Sequence, residues 1–423
     1  MTGNGTKPWP VVVMLCATAT AGYICRVNVS TAGPLLMKEF GLTQIEMGEI
    51  FSAFLMGYAL FQVPSGALAD RFGARRILSV ITWLWFAITV MQTLTGTGVL
   101  KAVPAITLMI FMIFRLLLGI TASPTYPGSG QGVSRWVPVQ YQGRANGIVI
   151  ASIGLGSAIA PPLVSNVMVT FGWRIALIVS ALPALIIALI WLRIKEPVHV
   201  NFPKTESGPG NPTNGSLSKG RINSISFYLL TLSYTLQGYV GYIFVSWFYL
   251  YLVQERHFGL LSGAWMSSLP WVLSIISIPL GGLIADRLIT GRAGKVWGSR
   301  IVPLTGMAFS GILISIGAHT GSAVVAAICL AFATAFILCV EGPFWAMMMK
   351  TAGTKSGTAG GIMNMGSNIG GLISPALTPL IASWVGWENA LHVAAVIAII
   401  GALLWLGIKP AEEILKSSLE DCG

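Results

Sequence analysis

Apolar stretches, each about as long as a helix needs to cross a bilayer, follow one another from residue 10 to residue 408 with short polar breaks between them. A helix rises about 1.5 Å per residue, so roughly 20 residues cover a hydrocarbon core of about 30 Å. Lipid offers the backbone no hydrogen bonds, which leaves helices as the way for such stretches to satisfy their own N–H and C=O groups. The stretches predict helices over 10–34, 47–69, 77–99, 104–134, 143–168 and 173–194, then over 223–252, 261–285, 299–318, 321–349, 356–384 and 387–408. The expected fold class is an all-α membrane protein with twelve transmembrane helices. The first stretch has no small-residue cleavage pattern and is expected to stay as a helix rather than be removed as a signal peptide.

Charge agrees with this solvent. Only 9% of residues are charged, against roughly 25% in soluble domains, too few to coat a soluble fold. An even number of spans puts both termini on one face. Of the 25 Lys and Arg residues, Lys38, Lys101, Arg174 and Arg256 map to the opposite face, Arg26 and Arg115 fall inside spans, and the others lie on the face of the termini. Basic loops stay in the cytoplasm, so both termini are expected there, with the chain in the plasma (inner) membrane. Anionic lipid on that face accounts for the net +11 without nucleic acid as a partner. The partners expected are the lipid bilayer and a small substrate, with the chain acting as a monomer.

The spans form two sets. Residues 197–222 are rich in Gly, Pro, Ser and Asn and read as a cytoplasmic linker, leaving a six-helix bundle in 1–196 and another, with a short tail, in 223–423. Gly66-Ala-Leu-Ala-Asp70-Arg71 returns as Gly282-Leu-Ile-Ala-Asp286-Arg287, a shift of 216. At a shift of 214, Ala145, Gly147, Ile148, Gly156, Ile159, Pro161, Leu163, Gly172 and Trp173 return as Ala359, Gly361, Ile362, Gly370, Ile373, Pro375, Leu377, Gly386 and Trp387. Internal duplication is the architecture of carriers that rock two bundles about a site near the midplane.

The stretch Gly66-Ala-Leu-Ala-Asp70-Arg71-Phe72-Gly73-Ala74-Arg75-Arg76 resembles the signature loop of the major facilitator superfamily, with one residue inserted before the final arginines. A carboxylate beside several cations in a short turn suits a network that locks two helices in one state and frees them in the other. Asp70, Arg71 and Arg75, with Asp286 and Arg287 in the repeat, are the gating candidates. A plain topology signal is the competing explanation of the same charges.

A narrower resemblance spans nearly the whole chain. Tyr23-Ile-Cys-Arg26-Val-Asn28, Phe51-Ser-Ala-Phe, Tyr58-Ala-Leu-Phe-Gln62-Val-Pro64, Arg115 with Ser123-Pro124 and Tyr126-Pro127, and Met363-Asn364 through Asn368 to Pro375 are similar to the anion:cation symporter family. That resemblance implies an organic anion as substrate, a carboxylate of the sugar-acid kind among the possibilities. Many members place an aspartate just before the first-helix arginine and a glutamate seven residues after the fourth-helix arginine; here Cys25 and Ala122 stand there. The acids commonly linked to proton coupling are therefore missing, which bears on symport and not on anion binding.

Charges within lipid are expensive, from about 2.5 kcal/mol for one Arg at a helix centre. Arg26 and Arg115 are expected at one depth, a little beyond the midplane on the side away from the termini. Two guanidiniums so placed repel unless an anion lies between them, and the planar fork of Arg binds carboxylates bidentately. Pairing with helix carbonyls, or snorkelling to an interface, is the structural alternative.

Glu341, in Val340-Glu341-Gly342-Pro343, is the one acid within a span. A buried carboxyl suits a proton taken up and released during transport; equally, it could bond a Gly-Pro kink as a neutral acid. Tyr23, Asn28, Tyr58, Gln237, Tyr242, Trp247, Asn364 and Asn368 are candidates to shape the cavity, with hydroxyl and amide groups fit for hydroxylated acids. Each is also explained as ordinary polarity in helix packing.

These features point to a secondary transporter working by alternating access, with proton-coupled symport as the first mechanism. A uniporter, a carrier driven by sodium or membrane potential, and a drug or metabolite exporter are the alternatives. An integral-membrane enzyme fits poorly, since His199, His257, His319 and His392 lie near helix ends or loops and no nucleophile–base pairing occurs within the bundle. Cys16, Cys25, Cys329, Cys339 and Cys422 lack metal-ligand spacing, and no cofactor or metal is expected.

Overall fold

The computed structural model describes residues 9–97, 104–194, 224–291, 294–352 and 356–409. The linker expected at 197–222, His199, Cys422 and the side chain of Asp70 lie outside what is described. The described residues are helical almost throughout. In chain order the helices are α1 (Trp9–Phe40), α2 (Gln44–Phe72), α3 (Ala74–Thr93), α4 (Pro104–Ala122), α5 (Thr125–Trp136) and α6 (Val139–Arg193). Then come α7 (Ile225–Ser246), α8 (Phe248–Gln254), α9 (Leu260–Thr290), α10 (Gly294–His319), α11 (Ala323–Cys339), α12 (Glu341–Ala352) and α13 (Ser356–Leu404).

These helices make twelve spans. α4 with α5, α7 with α8 and α11 with α12 are broken single spans, while α6 and α13 each hold two spans joined at a glycine. Gly172 in α6 has φ 82° and Gly386 in α13 has φ 83°, a backbone conformation that side chains with a Cβ adopt at a cost. The two turns occupy equivalent repeat positions. Apart from the Gly-Pro kink weighed beside Glu341, the interruptions within spans were not expected from the sequence. One falls at Ser123-Pro124, where Pro124 lacks an N–H; another bends the chain by 51° between α7 and α8, at Trp247; the third falls at Val340, before Glu341. α1 also runs on to Phe40, six residues past its expected end.

Among the described residues, side-chain caps open α2, α7 and α11. Thr43 opens α2 with a reciprocal pair: its hydroxyl accepts from the Glu46 N–H while the Glu46 carboxylate accepts from the Thr43 N–H at 2.8 Å. Ser224 and Ser322 cap α7 and α11 in the simpler way.

The two six-helix halves obey one plan. A Cβ on Gly156 would strike the Thr20 carbonyl, and one on Gly370 the Thr235 carbonyl, so the fifth span presses on the first as the eleventh presses on the seventh. Between the halves, Ser52 donates to the Leu372 carbonyl at 2.8 Å and Ser268 to the Ala158 carbonyl at 2.6 Å. The repeat exchanges the two bonds, because Ser268 stands 216 residues after Ser52 and Ala158 stands 214 before Leu372. This is an all-α fold of two pseudo-symmetric bundles.

Contacts between the halves favour one side of the molecule. On the face opposite the termini, Trp387 donates to Gln44 at 3.0 Å, and the Gln44 amide donates to Gln254 and Glu255, each at 3.3 Å. Deeper come the two serine bonds, then the Asn368 amide donating to the Gln62 side-chain oxygen at 3.0 Å. From there to the face of the termini, no hydrogen bond joins the halves among the described residues.

Candidate functional site

Arg26 lies on α1, 8% exposed, one turn after Tyr23. Its Nη1 donates to the Tyr23 hydroxyl at 3.3 Å, and its Nη2 donates to the Tyr242 hydroxyl of the other half at 2.9 Å. Tyr242 stands 216 residues later, near the repeat spacing, so these partners meet close to the pseudo-symmetry axis. Around the guanidinium stand the rings of Phe54, Tyr23, Tyr242 and Tyr58, with centroids 4.9, 5.2, 5.2 and 5.6 Å away. Ring faces attract a cation most strongly where water is scarce.

Arg115 comes from α4 and is 3% exposed. Its Nη2 donates to the backbone carbonyl of Arg26 at 3.0 Å, while its Nε and Nη1 have no partner among the described residues. Phe54 stands between the two cations, 4.9 Å from one and 5.0 Å from the other. The two arginines thus share one depth. Among the described residues, neither forms an ion pair with a carboxylate. Part of the structural alternative holds, since one edge of Arg115 does bond a helix carbonyl. A cleft between the halves is lined by both arginines together with Ser30, Phe54, Tyr242 and Ser246. It offers two fixed positive charges, hydroxyl groups and an aromatic wall, a combination suited to a small anion.

The other candidates are distributed unevenly. Tyr23, Tyr58 and Tyr242 surround Arg26. Asn368 joins the halves through Gln62, and Asn364 is half-buried on α13 away from the cleft lining. The Asn28 amide donates to Ser180 within the first half. Trp247 is fully buried, donating to the Pro375 carbonyl at 3.0 Å with its ring edge-on to Phe51. Sequence reasoning did not single out Phe54, Ser30, Ser246 or Gln62; only Phe54 and Gln62 stood inside quoted motifs, and nothing local marked the serines.

Glu341 opens α12 just past the break in the tenth span. It accepts from the Tyr234 hydroxyl at 2.8 Å and from the Gln237 amide at 3.2 Å; that amide also donates to the Ile337 carbonyl. Gln237 therefore faces the acid rather than the arginines. Tyr234, Gln237 and Tyr242 all belong to α7, so one helix carries the partners of Glu341 and a partner of Arg26.

Of the gating candidates, Arg71 is exposed with its guanidinium 5.4 Å from the Phe72 ring centroid. Arg75 caps the end of the sixth span, donating to the carbonyls of Trp191 and Leu192 at 3.3 and 2.7 Å. Asp286 lines a second cleft with Gly282, Ser299, Pro343 and Lys350, and Arg287 is exposed beside it.

The chain is 28% identical over 95% of its length to the probable sulfoacetate transporter SauU of Cupriavidus necator, covering 93% of that protein. It is 27% identical to the hexuronate transporter of Bacillus subtilis, over 93% of each chain. With the probable galactarate/D-glucarate transporter GudP of Escherichia coli it shares 29% identity over 96% of its length and 91% of that protein. In fold it is similar to a crystal structure of a bacterial homologue of the human lysosomal transporter Spinster, inward-facing and unoccupied. The TM-score is 0.77 at 17% identity, covering 95% of this chain and 97% of that one. The profile of the Major Facilitator Superfamily matches residues 14–375 and 288–421. The chain therefore belongs to the Major Facilitator Superfamily and is a membrane transporter, not an enzyme.

Proposed function

We propose that this transporter carries a small organic anion, a carboxylate of the sugar-acid or sulfo-acid kind, through the cleft at Arg26 and Arg115. The observation behind this reading is the pair of buried arginines, one guanidinium bonded to the backbone carbonyl of the other residue and neither paired to an acid among the described residues. Relatives named for sulfoacetate, hexuronate and galactarate or D-glucarate support the same class. Tyr23, Tyr58 and Tyr242 hold the first cation in place, Asn368 and Gln237 act further out through contacts between and within the halves, and Asn364 stands away from the cleft lining.

Alternating access fits the hydrogen bonds between the halves, which among the described residues gather toward one face and do not reach the other. With the termini in the cytoplasm of a plasma (inner) membrane, this is the inward-open state of a monomer. Its bundles are 1–196 and 223–423 about a linker at 197–222. Asp70, Arg71, Arg75, Asp286 and Arg287 on the cytoplasmic face bias the exchange between states. Proton symport is the first mechanism, with Glu341 as the proton site linked to Arg26 through α7. A carrier that equilibrates its substrate, or one coupled to sodium or membrane potential, is the second; Cys25 and Ala122 favour it.

A thermal-shift screen of sulfoacetate, glucarate, galactarate and hexuronates on purified protein tests the substrate class, because a ligand stabilises the state it binds. A hit should then be taken up by proteoliposomes. Stabilisation by organic cations alone would overturn the anion reading.

A further inference from the structure

On the face opposite the termini, α10 and the last span end side by side, and three groups converge there. Nδ1 of His319, the last residue of α10, lies 2.7 Å from Oε1 of Glu388, and Nε2 of His392 lies 3.8 Å from the same oxygen. The three ligand atoms fall within 4.8 Å of one another. We propose that His319, Glu388 and His392 form a zinc-type transition-metal site that staples the end of α10 to the start of the twelfth span.

The donor set and its spacing support this. Two imidazoles and one carboxylate suit zinc and its neighbours, whereas magnesium and calcium favour oxygen donors. Tetrahedral zinc with bonds of roughly 2.0–2.2 Å sets its ligand atoms about 3.3 Å apart. The two measured separations straddle that value, and a small rotation of exposed side chains equalises them. His319 is 83% exposed at its side chain and Glu388 51%, so both are free to make it, while His392 is held more firmly at 35%.

Helix geometry builds the site from two pairs. Glu388 and His392 are four residues apart and share one face of the last span, as Ser315 and His319 share one face of α10. The Ser315 hydroxyl lies 3.1 Å from Nδ1 of His392. With the proton on Nδ1 donated to that hydroxyl, Nε2 keeps its lone pair and points it toward Glu388. Such outer hydrogen bonds commonly orient metal-binding histidines. The nearby cation does not compete for Glu388: Arg256 donates to the carbonyls of Gly317, Ala318 and Thr320 and to the Tyr251 hydroxyl. Two neutral imidazoles and one carboxylate give the site a single negative charge for a divalent ion.

The full chain, freed of any polyhistidine tag and stripped of metal with a chelator, is titrated with zinc chloride by calorimetry. The expected result is one saturable site and a rise in the thermal unfolding midpoint on adding zinc, with neither effect from magnesium. His319→Ala and His392→Ala should each weaken that site at least tenfold and remove the rise, and Ser315→Ala should weaken it less. His257→Ala is the control and should change nothing. Because His319 is at the surface, its metal-free variant should unfold where the metal-free parent does. No saturable zinc binding in the parent, or binding and stabilisation that survive both histidine substitutions, would overturn the proposal.

Discussion

The guanidinium of Arg115 donates to the backbone carbonyl of Arg26 across 3.0 Å, so one buried cation rests on the helix that carries the other. The contact uses Nη2 alone and leaves Nε and Nη1 of Arg115 without partners among the described residues. A buried donor without an acceptor costs about 1–3 kcal/mol, more when charged, and an anion in the cleft would supply the missing acceptor. Arg26 differs in being held from both halves by tyrosine hydroxyls, which suits a cation that must keep its place as the halves move.

Arg26→Ala and Arg115→Ala are each expected to abolish uptake of the organic anion while the protein stays folded in the membrane. Losing one charge-assisted contact of about 1.5–3 kcal/mol lowers affinity roughly 10- to 100-fold. Isothermal titration with the anion found by thermal shift measures it directly. Near-parental affinity in either variant would take that arginine out of the site.

Arg71→Ala and Asp286→Asn are expected to change the transport rate more than the equilibrium affinity, since both residues lie far from the arginine cleft on the face of the termini. Labelling of single cysteines placed at each face would report the population of each state. If labelling and turnover both match the parent, these charges set topology and do not gate.

The organisation of the molecule was legible in the sequence because it rests on strong local signals. Span length, the sequence repeats and the intramembrane arginines are each visible within a short window, and the shared depth of Arg26 and Arg115 followed from helix rise alone. What could not be read depends on tertiary approach. Gln62 and Asn368 meet across 306 positions, and Ser52 finds a carbonyl of a distant helix; no periodicity announces either. Histidines 319 and 392 looked like unrelated residues at helix ends because 73 positions separate them and only helix packing brings them together. The breaks at Pro124 and Trp247 hid inside apolar runs long enough to read as single helices.

Gly172 and Gly386 offer a test of the duplicated design. Both hold φ above 80° and no atom would obstruct an added Cβ at either, so the cost of alanine is conformational alone, about 1–3 kcal/mol. Gly172→Ala and Gly386→Ala should lower the thermal unfolding midpoint by similar amounts, and the double variant by about their sum. A neutral effect at one position only would mean that the two turns are not mechanically equivalent.

Coupling is expected to depend on Glu341 if protons drive this carrier. Its carboxylate is held by Tyr234 and Gln237 on α7, and Tyr242 on that same helix bonds Arg26 across the halves. A proton gained or lost at Glu341 changes what Tyr234 and Gln237 can donate to, and α7 is the rigid element that passes the change toward Arg26. Cys25 and Ala122 give no carboxylate beside the arginines, so the acid on α12 has no rival there. The measurement is concentrative uptake into proteoliposomes under an imposed pH gradient, comparing the parent with Glu341→Gln, which keeps size and hydrogen bonding but cannot ionise. The expected outcome is that the parent accumulates anion above its outside concentration while Glu341→Gln only equilibrates it, with binding affinity changed little. Equal accumulation by both would make Glu341 a structural acid at the helix break. A parent that ignores the pH gradient but equilibrates substrate, or that follows sodium or membrane potential, would replace proton symport with the second mechanism and leave the anion site at Arg26 and Arg115 standing.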